Sequence, residues 1–325
     1  MDMVSDLVKD LLEKLKKVCG SESITLPGEI DFEYDEVKQT LKIKIENGIK
    51  ENMQEDCAAF EGWALGFKAN LEDSIKQVEL DWDEKIEPSK EGEGWRHFNR
   101  FLYRVDKFQN LYDWFTVSNS HKSWNDQKNS GNWQQLVLNK PGSRKETNED
   151  NGLRKTEHDM EVFFTTTNGS TKLRQAVKKS YGIELIKIKN QFPVGVFDGE
   201  VIKGNNIFTG GKSAIDLYSI GQDNSFNIFE LKKIKAKLQV GIISELFFYA
   251  SLMKDVIDDD EEIKSSHPDL VKTTKLDKVN AFFLTPRLHP LITDQVINYL
   301  NIARTGIEYR NLLYKINDVN DVEFI

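Results

Sequence analysis

Three residues in the second half of the chain have the types and the spacing of a metal-dependent hydrolytic site. Asp216 lies in the apolar stretch AIDLYSI, and Glu230 and Lys232 form a Glu-x-Lys triplet at the end of the apolar stretch SFNIFELKK. Two neighbouring carboxylates repel each other unless a cation lies between them, and hard oxygen ligands suit Mg²⁺ or Mn²⁺. A lysine ammonium nearby can orient water or stabilise charge on a phosphate. We therefore expect metal-assisted phosphodiester hydrolysis, with Asp216 and Glu230 as metal ligands.

The segments that carry these residues are predicted to form a β-hairpin. They are separated by the polar turn Gly-Gln-Asp-Asn at 221–224, which is typical of a connection between antiparallel strands. Residues i and i+2 of a strand point to the same side, so Glu230 and Lys232 share a face and the hairpin brings Asp216 beside them. Burying charge without a purpose is costly. The alternative that stays open is a strand end in solvent with an ordinary cross-strand ion pair.

A phosphate-binding loop is a second interpretation of this region, because Gly-Gly-Lys-Ser occupies 210–213. The Walker pattern needs a further glycine, separated by four residues from Gly-Lys-Ser, and that position holds Asn206. A phosphate loop also opens a helix, whereas this segment enters a stretch with the composition of a strand. Nucleotide hydrolysis is therefore rejected, and Lys212 is predicted to lie at the tip of a turn before the strand.

At these residues the chain resembles the PD-(D/E)xK nuclease superfamily. Members share a helix, a three-stranded meander, a second helix and a further strand, with Asp on the second strand and (Asp/Glu)-x-Lys on the third. The sequence predicts matching elements in this order. They are a helix over 170–182, extended chain over 183–197, the two hairpin strands, a buried helix over 237–257 and a buried strand over 278–286. The resemblance covers residues 155–316, and Ile215 replaces the Pro of the motif.

The resemblance implies a function and additional site residues. It implies a Mg²⁺- or Mn²⁺-dependent nuclease, with DNA as the favoured substrate, acting as an endonuclease in bacterial restriction or phage defence. Some branches add a Glu from the first helix, and Glu161 is favoured here over Glu157 and Glu184. The branch with Gln-x-x-x-Tyr on the following helix is not matched, because Gln239 and Tyr249 are ten residues apart. Gln239 can still reach the site from the start of that helix.

Four lysines flank the proposed acids and are predicted to contact nucleic-acid phosphates, which lysine and arginine side chains neutralise. They are Lys212, Lys233, Lys235 and Lys237. A solvated basic surface is the other interpretation of this run. The rival function, from a different class, is a catalytically inactive nuclease-fold module that binds nucleic acid or protein.

The charge distribution divides the chain into two parts. The net charge is −9, and the whole excess of acidic residues lies in 1–150, as do all 6 tryptophans. The polar run at 139–157 is the expected join. We predict an acidic, Trp-rich domain over 1–150 with a recognition or regulatory role, and a nuclease domain over 151–325. A protein partner of the first domain and a homodimer, by analogy with nucleases that cut both strands, are further expectations.

The predicted fold class is α/β (α+β). A restriction-endonuclease-like core with a mixed central sheet between helices is expected to follow a mainly helical N-terminal domain that contains one β-hairpin. The N-terminal elements are a helix over 3–18, the hairpin over 29–48 and a helix over 95–116. Four basic residues lie off the apolar stripe of that last helix and are expected in solvent, or else on a binding face: Arg96, Arg100, Arg104 and Lys107. Residues 309–316 are predicted as an edge strand.

Composition excludes several classes of protein. No segment reaches the roughly 18–20 apolar residues of a membrane span, and the N-terminus lacks the apolar run of a signal peptide. The 2 cysteines and 5 histidines show no spacing of a zinc site. We therefore expect a cytoplasmic, soluble protein without structural zinc.

Overall fold

A computed structural model describes most of the chain. The described residues are 5–118, 121–131, 133, 135–139, 156–208, 213–233, 238–258, 263–271, 276–302, 305–318 and 321–325. Two compact units are present. The first comprises Met1–Trp133, Leu238–Phe247 and Leu288–Thr305, and the second comprises Gln134–Lys237, Phe248–Arg287 and Gly306–Ile325. These units differ from the predicted division at 150, because two later segments belong to the first unit.

The secondary structure is mixed. The helices are α1 (Asp6–Cys19), α2 (Phe60–Asn70), α3 (Gly92–Leu111), α4 (Trp124–Ser130), α5 (Glu157–Thr165), α6 (Thr167–Tyr181), α7 (Gly241–Ile257), α8 (Pro268–Val271) and α9 (Asp294–Asn301). The strands are β1 (Ile30–Asp35), β2 (Thr40–Ile45), β3 (Gln77–Trp82), β4 (Phe115–Val117), β5 (Leu136–Leu138), β6 (Leu185–Pro193), β7 (Val196–Asp198), β8 (Ala214–Gly221), β9 (Ser225–Leu231), β10 (Ile263–Lys264), β11 (Lys278–Thr285), β12 (Ile307–Asp318) and β13 (Asp321–Phe324). The predicted α/β class is confirmed.

The first unit contains a four-stranded sheet in the order β1-β2-β3-β4. The strands β1 and β2 are antiparallel and form the predicted hairpin, while β3 and β4 extend it in parallel pairs. The side chains of β2 alternate between buried and half-buried positions, as expected for a strand with one face on a core. The expectation of a mainly helical domain with one hairpin missed β3 and β4, because parallel pairing joins segments that are distant in sequence.

Helix α3 buries part of its basic side. Arg100 is 4% exposed and Arg104 is 2% exposed, so the expectation that these two residues lie in solvent is wrong. The guanidinium of Arg104 lies 2.9 Å from a carboxylate oxygen of Glu61, which is itself 0% exposed, and donates to the carbonyl of Ala58. Ser244 donates to the same carboxylate at 2.6 Å. A buried charge is tolerated when it is paired and hydrogen-bonded in this way.

The second unit is built on a six-stranded sheet in the order β13-β12-β11-β9-β8-β6. The strands β6, β8 and β9 form an antiparallel meander, and β11 lies parallel to β9. A smaller sheet has the order β10-β5-β7. The predicted edge strand over 309–316 is wrong, because β12 pairs with β11 on one side and with β13 on the other.

Helices α5 and α6 pack on one face of the six-stranded sheet. Helix α5 begins with a capping box between Thr156 and Asp159, and α6 ends at Gly182, whose φ of 71° suits a left-handed C-cap. Apolar side chains from both helices and from the strands form the core of this unit. They include Met160, Phe163, Phe164, Leu173, Val177, Leu217, Phe229, Leu231, Phe282, Leu284 and Tyr314. Leu217, Phe229 and Leu231 bring one face of β8 and β9 into this core. The predicted acids alternate with these residues along the strands, so they belong to the other face.

In the part of the chain that the structure describes, none of the helices combines the length and the apolar character that crossing a membrane requires.

The pair of Glu61 and Arg104 generates a test of the first unit. Burial raises the pKa of Glu61 and lowers the pKa of Arg104, so each charge depends on the other. We expect Arg104→Met to lower the free energy of unfolding by about 3–5 kcal/mol, because it leaves a buried carboxylate without its partner. The double variant with Glu61→Leu should recover most of that loss. Urea unfolding followed by circular dichroism measures both.

Lys9→Met provides the control for this test, because Lys9 and Asp6 form an exposed ion pair. We expect that change to alter the free energy of unfolding by no more than about 1 kcal/mol. If the Arg104 and Lys9 variants lose similar stability, the buried pair does not hold the first unit together.

Candidate functional site

The register of β8 and β9 bears on whether the two predicted acids lie together. The antiparallel pairing of these strands includes Leu217 opposite Phe229. The same register continued by one residue puts Asp216 opposite Glu230, on the same face of the sheet. Residues in such opposite positions have Cβ atoms about 4.5–5.5 Å apart. Asp216 and Glu230 are therefore the first residues beyond the described pairing of the hairpin, and their closeness stays a prediction.

Asp216 is held by a backbone hydrogen bond. Its Oδ2 atom accepts the backbone N–H of Leu231 at 2.8 Å, next to the end of the described ladder between β8 and β9. A buried N–H group needs an acceptor, and here a side chain takes the place of a carbonyl from the neighbouring strand. The bond restricts the Asp216 carboxylate to one orientation.

Glu230 and Lys232 form a half-buried ion pair on the same strand face. The Nζ atom of Lys232 lies 2.6 Å from Oε1 of Glu230. The Glu230 side chain is 2% exposed and that of Lys232 is 21% exposed. All seven residues of β9 are buried, so the carboxylate depends on the ammonium for compensation of its charge. The ammonium also retains access to solvent.

The backbone of Lys232 is fixed on two sides. Its N–H donates to the carbonyl of Leu284 on β11 at 3.0 Å. Its carbonyl accepts the hydroxyl of Tyr314 on β12 at 2.7 Å. Two neighbouring strands therefore determine where the lysine side chain begins, although Lys232 itself lies one residue beyond β9.

Glu161 is buried on α5 and bonded to a residue that the sequence did not suggest. It is 4% exposed, and its Oε2 atom accepts the side-chain amide of Gln191 at 2.6 Å. His158 also lies 3.8 Å from that oxygen. Gln191 belongs to β6, between the pairs that join Asn190 to Leu217 and Phe192 to Ile215. Its position is therefore next to Asp216 on the neighbouring strand.

The remaining predicted site residues are described by their own contacts and burial. Glu184 forms an ion pair with Lys178, and its side chain is 43% exposed. Glu157 is half-buried in the first turn of α5. Gln239 belongs to the first unit, where its amide donates to Glu55 at 3.1 Å.

Of the predicted phosphate contacts, only one falls within the described residues. Lys233 follows Lys232 directly and is exposed, as a residue that contacts a nucleic-acid backbone must be. Lys212, Lys235 and Lys237 lie outside the described residues.

A polar network that the sequence analysis missed lies on the same face as Asp216. Tyr218, two residues along β8, donates its hydroxyl to Asp269 at 2.8 Å, and Lys189 contacts both oxygens of that carboxylate at 2.6 Å. Burial by itself would raise the pKa of Asp269, but the hydrogen bonds from Lys189 and Tyr218 outweigh it and hold that pKa below its ordinary value. Because side chains alternate along a strand, the sequence puts Tyr218 on the same face as Asp216. No sequence signal links Tyr218 to Asp269, which is 51 residues away.

The predicted metal ligands of the candidate site are two carboxylates, those of Asp216 and Glu230. Within the described ranges, no group of three or more His, Cys, Asp or Glu side chains is arranged to hold a metal ion. Mg²⁺, however, is commonly bound through one or two carboxylates, with waters and substrate phosphate oxygens as its other ligands. The carboxylates of Asp216 and Glu230 fit that requirement chemically.

Comparison with known proteins adds no further information: the chain matches no family model, no curated protein and no solved structure.

The network around Asp269 generates a prediction about acid stability. The folded-state pKa of Asp269 is lowered from 3.8, so its contribution to stability is fully present above that value and is lost as the pH falls through the lower folded-state pKa. We expect the free energy of unfolding of wild type to exceed that of Asp269→Asn by a constant amount from pH 5 to pH 7. The difference should shrink at pH values below about 4.

Urea unfolding of both proteins at a series of pH values measures this difference. A difference that stays constant down to pH 3 would show that the Asp269 carboxylate gains nothing from Lys189 and Tyr218.

Proposed function

We propose that this protein is a metal-dependent nuclease that hydrolyses phosphodiester bonds, with DNA as the favoured substrate. The observation that carries the proposal is the arrangement at the end of the β8–β9 hairpin. Asp216 and Glu230 directly follow the described pair of Leu217 and Phe229, and Lys232 lies 2.6 Å from Glu230. Two acids and a lysine on adjacent strands are the groups that this reaction uses.

Each of the three residues has a chemical role in the proposed reaction. Asp216 and Glu230 would hold Mg²⁺ or Mn²⁺, which supplies Lewis acidity toward a phosphate oxygen and lowers the pKa of bound water. The Asp216 carboxylate is oriented by the N–H of Leu231, so it presents its charge without reorganisation. The Lys232 ammonium, 21% exposed, would orient the attacking water and stabilise negative charge on the phosphate.

The order of elements from α6 to β11 supports the proposal. Helix α6 is followed by the meander of β6, β8 and β9, then by α7 and by β11, which lies parallel to β9. The resemblance to PD-(D/E)xK nucleases implies this order, with the Asp on the second meander strand and the Glu-x-Lys triplet on the third. Lys233 is exposed beside the site and is the described candidate for a phosphate contact.

A binding module without catalytic activity is the second candidate function. The ion pair of Glu230 and Lys232 favours it, because a lysine that neutralises a buried carboxylate has a sufficient structural reason to be there. In this case the same surface would bind nucleic acid or a protein through exposed lysines. A role in phage defence, a homodimer and a partner of the N-terminal part belong to the nuclease proposal as extensions of the resemblance alone.

Cleavage of supercoiled plasmid DNA in the presence of Mg²⁺ tests the nuclease proposal. We expect the wild type to cleave, EDTA to abolish cleavage, and Asp216→Asn and Glu230→Gln each to lower the rate at least about 100-fold. Both substitutions remove a negative charge but keep a carbonyl oxygen that can accept the bond from Leu231 or from Lys232. Loss of the charge, and not loss of the hydrogen bond, is therefore what the variants measure.

Glu323→Gln is the matched control, because Glu323 forms an exposed ion pair with Lys315 in the same unit. It should cleave at the wild-type rate. Equal cleavage by wild type and Asp216→Asn would contradict the site assignment. Absence of cleavage of plasmid, single-stranded DNA and RNA, together with a gel shift that depends on Lys233, would favour the binding module.

A further inference from the structure

We propose that Gln191 is a positioning residue of the candidate site, which fixes the carboxylate of Glu161 from the β6 position next to Asp216. This inference rests on the proposed nuclease function. It begins with the backbone of Gln191, whose φ is 56°. A positive φ is unusual for a residue that carries a Cβ atom, and such strain persists where the surrounding structure imposes it.

The place of this strain distinguishes Gln191 from the other described non-glycine residues with positive φ. Gln39 and Asn224 have φ values of 52° and 61°, and both lie in the turns of the hairpins β1–β2 and β8–β9. Gln191 instead lies inside β6, with a regularly paired residue on each side. Turn geometry therefore does not account for it.

The register places Gln191 next to the predicted metal-ligand Asp216. Residue 190 pairs with Leu217 and residue 192 pairs with Ile215, so the position between them is opposite Asp216. The backbone departs from the regular strand conformation at the one β6 residue that adjoins the aspartate. Strained residues cluster at functional sites. The position of Gln191 next to Asp216 therefore links its unusual backbone conformation to the candidate site.

The side chain of Gln191 joins this strand position to Glu161 on α5. Its amide donates to Oε2 of Glu161 at 2.6 Å, and Glu161 is 4% exposed. The carboxylate at the end of a flexible glutamate side chain has several orientations, and a short hydrogen bond from a fixed strand selects one of them. Gln191 thus connects the strand position beside Asp216 to the acid on α5. Partners that orient acidic groups in this way are often needed for full activity.

Gln191→Gly separates the positioning role from a structural role. Glycine adopts positive φ without strain, which offsets the cost of losing the hydrogen bond to Glu161, so the variant should unfold close to the wild-type temperature. We expect its kcat for plasmid cleavage to fall about 10- to 100-fold with KM unchanged. A residue that only stabilised the fold would show no loss of kcat in a variant of similar stability.

Gln39→Gly is the matched control, because it replaces the same residue type at a similar φ within a hairpin turn. It should relieve strain in the same way and leave kcat unchanged. The Glu161→Gln background completes the test. If Gln191 acts through Glu161, adding Gln191→Gly to Glu161→Gln should change kcat by less than about 2-fold, since the two effects are not independent.

The outcomes separate this inference from the function on which it rests. Wild-type cleavage that is lost in Asp216→Asn but retained in Gln191→Gly would overturn the positioning role and leave the nuclease proposal intact. Additive losses in the double variant would also overturn it, because they would show that Gln191 does not act through Glu161. Absence of cleavage by the wild type would overturn both proposals.

Discussion

The candidate site depends on one constraint, which is the cost of placing the Glu230 carboxylate in a fully buried strand. The ammonium of Lys232 compensates this charge, because it lies 2.6 Å from the carboxylate. Lys232 is two residues further along the chain and therefore on the same face. Lys232 is in turn held through its backbone by β11 and β12. The order of strands in the central sheet, and the parallel pairing of β11 beside β9, are thus conditions for burying this charge.

The molecule contains a second buried ion pair, and the contrast between the two is informative. Glu61 and Arg104 are 0% and 2% exposed, and Ser244 and the carbonyl of Ala58 occupy further positions around them. That pair is closed to solvent and joins segments of the first unit that are far apart in sequence. In the pair of Glu230 and Lys232 the ammonium is 21% exposed. A charge pair with one accessible member is suited to meeting a charged ligand, whereas a sealed pair is suited to holding a fold.

Local patterns in the sequence were sufficient to predict much of the secondary structure of the second unit. The turn at 221–224 predicted the hairpin, and the apolar run of α7 predicted the helix that follows. Features that depend on pairing between segments distant in sequence could not be predicted from local patterns. The prediction of an edge strand failed because β13 pairs with β12. Arg104 was expected in solvent because the acid that pairs with it, Glu61, lies on another helix. Gln191 gave no signal, since a polar residue with positive φ inside a strand has no sequence signature.

The hydrogen bond between Asp216 and the backbone of Leu231 makes one amide a spectroscopic reporter of the site. Inside a regular ladder, an amide proton exchanges with deuterium only when the strands separate. The Leu231 amide is protected instead by a side chain at the end of the described pairing. Its exchange rate therefore depends on whether the Asp216 carboxylate stays bonded to it, and a ligand that draws the carboxylate away would change the signal of that single amide.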